Sequence, residues 1–284
     1  MLGLQMDKVL QITLEAVKIT ALVLIMMIIV DILNVRTKGK LQKILRDANA
    51  FKQYVVASLL GAAPGCFGSF AGVSMYMHGF LSFGALTGLM FATAGDEQFI
   101  MLAMFPKTAL IMFGILFVLG IAVGYITDVI VKKYKIKVCS DCTTTLYHEH
   151  EHGAKHYWKE HVLNHIVKKH LLKTFLWTAG AMLVLELGLQ FVDLEAFTRD
   201  NVFLMLLLAA VIGFIPESGP HLIFVMMYAN GLIPFSVLFT SSIVQDGHGM
   251  LPLLAHSVRD SVTIKAFNLV FGLTLGIILY LIGF

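Results

Sequence analysis

Long apolar segments with few charges are the feature that most constrains how this chain can fold. They include residues 19–30, 108–126, 202–215 and 266–282. A transmembrane helix needs roughly 20 apolar residues, and these runs reach that length alone or with their flanking residues. The alternation of apolar and polar residues that marks outer-membrane β-strands is missing. Since 58% of the residues are hydrophobic and only 14% are charged, we predict an all-α polytopic membrane protein.

Basic residues predict which parts of the chain face the cytoplasm. They are concentrated between residues 36 and 52 and near both ends of a polar loop at residues 131–171. Because basic loops are retained on the cytoplasmic side, both stretches are predicted to be cytoplasmic. The apolar run at residues 9–33 is too long for a signal peptide and is expected to remain as the first helix. The chain would then lie in the inner (plasma) membrane with both termini outside.

The two halves of the chain resemble each other. Without any gap, the shift that places Pro64 on Pro216 also aligns other identical residues. They include Ala57 with Ala209, Gly61 with Gly213, Met75 with Met227, Tyr76 with Tyr228, Gly79 with Gly231 and Gly120 with Gly272. Each half is expected to cross the membrane an odd number of times, which would give two inverted-topology repeats, as in many secondary transporters. The predicted units are a first transmembrane repeat at residues 1–130, a cytoplasmic Cys/His-rich loop at 131–171 and a second transmembrane repeat at 172–284.

Each half contains an apolar segment that is broken by proline. The segments are GAAPGCFGSF at residues 61–70 and GFIPESGPHL at residues 213–222. Proline removes a helical hydrogen bond, and backbone freed at membrane depth is tolerated only where protein or a water-filled cavity surrounds it. Paired broken helices in inverted halves therefore predict a binding site between them. We assign the structural part of this motif to Pro64, Gly65, Pro216, Ser218, Gly219 and Pro220. The short apolar segments at residues 80–94 and 232–245 are expected either to cross the membrane or to be re-entrant.

Ionisable residues cluster around these breaks. Charges at membrane depth are costly, so they are rare and usually functional. Carboxylate and imidazole together form a ligand set suited to zinc, manganese, cobalt or nickel. The predicted transport site for such a cation consists of Glu217, His221, Asp246, His248, Asp96, Glu97 and Cys66. Four further residues are candidate counter-ions: Lys107, Arg259, Asp260 and His256. For the last three, an ordinary intramembrane ion pair with a capping histidine is the alternative.

The loop between the halves contains most of the chain's 11 histidines. Imidazole and thiolate are zinc ligands, and a dense tract of them is typical of metal binding. The spacing does not match a closed zinc finger, so we predict a weak, multivalent collector of zinc or a similar metal. A solvated amphipathic helix or a pH-sensitive lever is the alternative. The candidate loop ligands are Cys139, Cys142, His148, His150, His152, His156, His161 and His165.

Three stretches of the sequence resemble a bacterial and archaeal family of ten-transmembrane heavy-metal exporters. They are GAAPGCFGSF, GFIPESGPHLIF and VQDGHGMLPLLAHSVRDS. Members of that family are labelled arsenic efflux proteins or manganese transporters. The resemblance covers nearly the whole chain and implies efflux of a toxic or surplus metal with five crossings in each half. It also implies functional roles for Pro64, Gly65 and Cys66 in the first half and for residues 216–221 in the second.

The preferred function is a secondary active transporter that exports a heavy-metal or transition-metal cation of the Mn, Zn, Co and Ni class. Proton coupling is expected, since no GxxxxGK[ST] loop for ATP occurs. The alternative is an arsenical or oxyanion efflux permease that uses Cys66, or Lys107 and Arg259. A third hypothesis, an intramembrane metal-dependent hydrolase, lacks an HExxH motif, and we do not expect an enzyme. The expected partners are the lipid bilayer, the transported ion and a second copy of the chain, with no nucleic acid and no resident cofactor besides a loop-bound metal such as zinc.

Overall fold

The computed structural model describes part of the chain. The described residues are 9–18, 20–21, 24–25, 49–95, 97–138, 172, 175–176, 179–180, 201–216 and 219–284. All the regular structure in these ranges is helical. The predicted all-α class is therefore confirmed for the part of the chain that the structure describes.

The first half contains five described helices after residue 49. They are α1 (Ala50–Ala62), α2 (Phe67–Met77), α3 (Phe83–Ala92), α4 (Glu97–Met104) and α5 (Pro106–Lys133). Local chemistry explains several boundaries. Pro64 and Gly65, with a φ of 92°, separate α1 from α2. The Ser82 hydroxyl accepts a hydrogen bond from the Ala85 backbone N–H and caps α3.

The second half repeats this series. Its helices are α6 (Val202–Gly213), α7 (Gly219–Ala229), α8 (Phe235–Val244), α9 (Met250–His256) and α10 (Val258–Ile282), with a 3-10 turn at Gly247–Gly249 before α9. The shift that places Pro64 on Pro216 also places both ends of α2 and α3 on those of α7 and α8. It places the start of α5 on the start of α10. The internal similarity therefore extends from residues to helix boundaries, while the inverted arrangement in the membrane stays a prediction.

Two short helices lie at the centre of the described structure. Every residue of α3 is buried, and α8 is buried from Ser236 to Val244. In the first half α3 packs against α1 and α5, and in the second half α8 packs against α6 and α10. The two short helices also contact each other. Ten residues rise roughly 15 Å along a helix, about half of a hydrocarbon core, so neither helix could span a bilayer alone.

The long helices provide the lipid-facing part of each half. Within the described residues, α5 and α10 are long and apolar enough to cross a membrane. Large apolar side chains on these helices are exposed, among them Leu110, Val118, Val270 and Leu281. Exposed apolar surface of this extent is what a bilayer would cover.

Glycine allows the short and long helices to approach closely. A Cβ atom added at Gly88 of α3 would lie 2.3 Å from the backbone oxygen of Gly120 on α5. One added at Gly276 of α10 would collide with the Thr240 hydroxyl on α8. Close backbone contacts between small residues are the usual basis of helix packing in membranes. Each short helix is therefore fixed to its long neighbour at a glycine.

We predict that Gly88→Ala lowers the stability of the protein, because its methyl group would overlap the Gly120 backbone. The expected loss is about 1–3 kcal/mol in the free energy of unfolding. Gly114→Ala is the matched control, since a Cβ at that position on α5 meets nothing within 4 Å. The check is the midpoint of thermal unfolding of the purified chain in detergent. Equal midpoints for the two variants would contradict this helix contact.

Candidate functional site

The C-terminal ends of the two short helices meet in the interior. Gln245, which directly follows α8, is fully buried. Its side-chain Nε2 donates a hydrogen bond to the backbone oxygen of Ala94, two residues after α3, at 2.8 Å. The same nitrogen lies 3.3 Å from Glu97 Oε2 at the start of α4. The segment that follows the short helix of one half is therefore bound to the equivalent segment of the other half.

A lysine ammonium is surrounded by oxygen atoms beside this junction. Lys265 Nζ on α10 donates hydrogen bonds to the backbone oxygens of Gly213 at 2.8 Å, Val244 at 2.8 Å and Gln245 at 2.7 Å. It also lies 3.0 Å from Asp246 Oδ2. We call these four oxygen atoms the oxygen cage. Gly213 and Val244 are the last residues of α6 and α8, so the ammonium lies at the partially negative ends of two helices.

The backbone and one amide orient the carboxylate of the cage. Asp246 has a φ of 54°, in the left-handed region that a non-glycine residue rarely adopts. Its Oδ1 accepts a hydrogen bond from Asn268 Nδ2 at 2.5 Å. Asn268 lies three residues after Lys265 on α10, so both side chains are on the same face of that helix. The Lys265 and Asp246 side chains are 5% and 0% exposed, which makes them a fully desolvated ion pair.

A thiol and an imidazole from the two halves are also in contact. Cys66 precedes α2 in the proline break of the first half, and His248 lies in the 3-10 turn of the second half. The Cys66 Sγ atom is 3.8 Å from His248 Nδ1. Both side chains are buried. The proline-broken segment of one half therefore contacts the glycine-rich break of the other.

His221 lies on α7 and has its own partners. Its Nδ1 atom is 3.2 Å from the Ser241 hydroxyl, and its Nε2 atom is 3.4 Å from the Ile215 backbone oxygen. The ring is fully buried. It lies close enough to the Lys265 ammonium for charges on the two groups to interact.

The structure brings several of the predicted transport-site residues to the junction. Glu97 and Asp246 interact with Gln245 and Lys265 respectively, and Cys66 contacts His248. Among the described residues, however, no three His, Cys, Asp or Glu side chains come close enough together to hold a metal ion. The metal ligand set stays a prediction. Three members of the predicted site and its motif lie outside the described residues: Asp96, Glu217 and Ser218.

The remaining candidates lie at helix starts or in the loop. Lys107 and Arg259 are exposed in the first turns of α5 and α10. Asp260 is buried, and its Oδ2 accepts a hydrogen bond from the Tyr76 hydroxyl at 2.8 Å, while His256 is half-buried at the end of α9. The loop candidates lie outside the described residues: Cys139, Cys142, His148, His150, His152, His156, His161 and His165.

Sequence reasoning missed Lys265 and Asn268. The signal was present in the stretch VTIKAFN, where a lysine and an amide three residues apart interrupt the last apolar helix. An ionisable residue within a membrane segment is a functional candidate by default. It also missed Asp128 on α5, which accepts hydrogen bonds from the Tyr54 and Ser82 hydroxyls and the Gly84 backbone N–H, each at 2.8 Å. The buried Asp128 carboxylate therefore fixes the start of α3.

We predict that Tyr76→Phe destabilises the protein by about 1.5–3 kcal/mol, the usual range for a hydrogen bond to a charged group. The lost bond joins α2 of the first half to α10 of the second. Tyr228→Phe is the matched control at the equivalent position of the second half, since the Tyr228 hydroxyl makes no hydrogen bond within the described residues. Thermal unfolding in detergent provides the measurement. If both variants lost the same stability, the Tyr76–Asp260 bond would have no special role.

Comparison with known proteins identifies the family. The family model ArsP_2, described as "Putative, 10TM heavy-metal exporter", matches residues 7–163 and residues 138–283. No curated protein and no solved structure matches the chain. Because the two matched regions together extend over nearly the whole sequence, the chain belongs to this family of multi-pass membrane heavy-metal exporters.

Proposed function

We propose that the chain is a proton-coupled secondary transporter that exports a transition-metal cation, with the cargo bound where the breaks of two inverted repeats meet. One observation supports this proposal most directly: the buried contact of 3.8 Å between Cys66 and His248. Each half contributes one of these ligands. Movement of one half relative to the other would therefore form and open the site, as alternating access requires.

The chemistry of the two groups narrows the cargo. Thiolate and imidazole are soft or borderline ligands that suit zinc, cobalt and nickel, whereas manganese prefers oxygen. Zinc is therefore the preferred probe within the Mn, Zn, Co and Ni class. A tetrahedral zinc site needs four ligands. Asp96 and Glu217 are the proposed further ligands, since each follows a break in its half of the chain.

The exposure of the candidate ligands favours a cation over an oxyanion. Asp246 and the ends of α6 and α8 do not decide the charge of the cargo, because the Lys265 ammonium already compensates them. Lys107 and Arg259, the candidate ligands for an anion, are exposed at the starts of long helices, whereas Cys66 and His248 are buried. We therefore place the arsenical or oxyanion permease second.

We predict that Cys66→Ser and His248→Gln each abolish most zinc export, because each removes one of two buried ligands in contact. The expected result is a zinc content in efflux-deficient cells close to that of cells without the transporter. The control is His78→Gln, which removes a buried imidazole bonded to its own helix at Ser74. Activities are normalised to the amount of protein in the membrane. Full export by Cys66→Ser would overturn the site, and loss of arsenite export alone would support the permease.

We predict a similar loss for Glu217→Ala, because a carboxylate would complete the ligand set and compensate the charge of the cation. Glu217→Gln separates the two contributions, since it retains a neutral oxygen ligand and removes the negative charge. The cellular contents of zinc, cobalt, nickel and manganese are measured for both variants. Wild-type levels of all four metals in Glu217→Ala cells would remove this residue from the proposed site.

A further inference from the structure

The cluster around Lys265 has more oxygen acceptors than hydrogen-bond donors. The three hydrogens of the ammonium are directed to three backbone oxygens. Within the described residues, the buried atoms Gln245 Oε1 and Asn268 Oδ1 accept no hydrogen bond, and Asp246 Oδ2 shares the Lys265 ammonium with the three backbone oxygens. Buried polar atoms are normally paired. An excess of buried oxygen acceptors is the composition of a cation site.

The construction of the cage agrees with this interpretation. Gly213, Val244 and Gln245 contribute backbone oxygens from the ends of α6 and α8, and Asp246 contributes a full negative charge. In secondary transporters, carbonyl oxygens at the C-terminal ends of broken helices are the groups that coordinate coupling cations. Here the position of such an ion is filled by the chain's own Lys265 ammonium.

The first half provides an internal comparison. The shift that places Pro64 on Pro216 also places Phe113, Ala94 and Leu116 on Lys265, Asp246 and Asn268. All three residues of the first half are apolar and buried. Packing of a short helix against its long neighbour therefore does not require the charged set. The second half has all three polar residues and the first half has none of them, as expected for residues that share one function.

We propose that the oxygen cage is a monovalent-cation site, separate from the Cys66–His248 pair, and that Lys265 is its tethered resident cation. In this role Lys265 neutralises Asp246 while the exporter returns without cargo. Removing one partner of a buried ion pair leaves the other charge uncompensated, which is strongly unfavourable. The role in transport rests on the proposed function, whereas the existence of the cation site does not.

The first test removes the tethered cation and supplies a free one. Lys265→Ala is purified as the full chain in detergent, and its thermal unfolding is compared in sodium, potassium and choline chloride at equal concentration. We expect the midpoint to rise by several degrees in sodium or potassium, because an ion that binds only the folded state stabilises it. Wild type and the control Asp246→Asn/Lys265→Ala should show no such difference.

Each result of this test is decisive for the cation site. No difference between the three salts for folded Lys265→Ala would overturn it. Recovery of folded Lys265→Ala only in sodium or potassium would support it. If Lys265→Ala is not recovered in any salt while Asp246→Asn/Lys265→Ala is folded, Lys265 is a structural counter-ion only, and the site is overturned.

The second test distinguishes two steps of transport: movement of the zinc-loaded exporter across the membrane and return of the empty exporter. In proteoliposomes, Lys265→Met should keep zinc–zinc exchange near the wild-type rate, because a zinc ion bound at His248, two residues after Asp246, would compensate that carboxylate in the loaded exporter. Net zinc export should fall by at least about tenfold, because an unpaired Asp246 blocks the empty return. The neutral pair Asp246→Asn/Lys265→Met should recover part of the net export at saturating zinc.

The possible failures are distinguishable. Unchanged net export by Lys265→Met, or equal loss of exchange and net export without recovery in the neutral pair, would overturn the role in return. Absence of any zinc movement by the wild-type protein would instead overturn the proposed function. The response of Lys265→Ala to sodium and potassium would still test the cage in that case.

Discussion

The described structure depends on satisfying the backbone oxygens of helices that end in the interior. The last four carbonyl groups of any helix have no partner within it, and a bilayer provides no water to replace one. The ends of α6 and α8 are bound by the Lys265 ammonium through Gly213, Val244 and Gln245. The Gln245 side chain satisfies Ala94 beyond the end of α3. Two short helices can therefore end inside the protein because polar side chains meet their carbonyl groups.

The contacts within each half differ in kind from the contacts between the halves. Within each half, glycine contacts such as Gly88 with Gly120 hold the short helix rigidly against a long one. Between the halves, the described residues make polar contacts that include Tyr76 with Asp260 and Cys66 with His248. Apolar side chains of both halves also share a buried cluster, in which Phe91 and Val244 lie. The buried ion pair of Asp246 and Lys265 lies entirely in the second half, so the two halves differ in their buried charges.

The fold class and helix boundaries could be predicted because they follow from local physics. Proline breaks a helix for local steric and hydrogen-bonding reasons, as at residues 64 and 216, and long apolar runs form helices in a membrane. The environment of Lys265 could not be predicted in the same way. Three of its four partners are backbone or side-chain oxygens between residues 244 and 246, and the other is at Gly213. A backbone oxygen has no signature in the sequence. The sequence motif DGH suggested a metal ligand at Asp246, which stays a prediction, and it gave no sign of the ammonium and the amide that the structure shows bound to that carboxylate.

The occupied cage bears on how such an exporter would be driven. Sodium-coupled transporters need an empty oxygen site for the ion, and here Lys265 already fills a site of that kind. A cation that is part of the chain cannot cross the membrane. Lys265 can therefore neutralise Asp246, but it cannot couple transport to an ion gradient. In the proposed secondary transporter the energy would then come from an ion that binds elsewhere, and protons require no cage of oxygen ligands. A resident ammonium therefore agrees with the proposed proton coupling, since it occupies the oxygen site that a sodium ion would need at this junction.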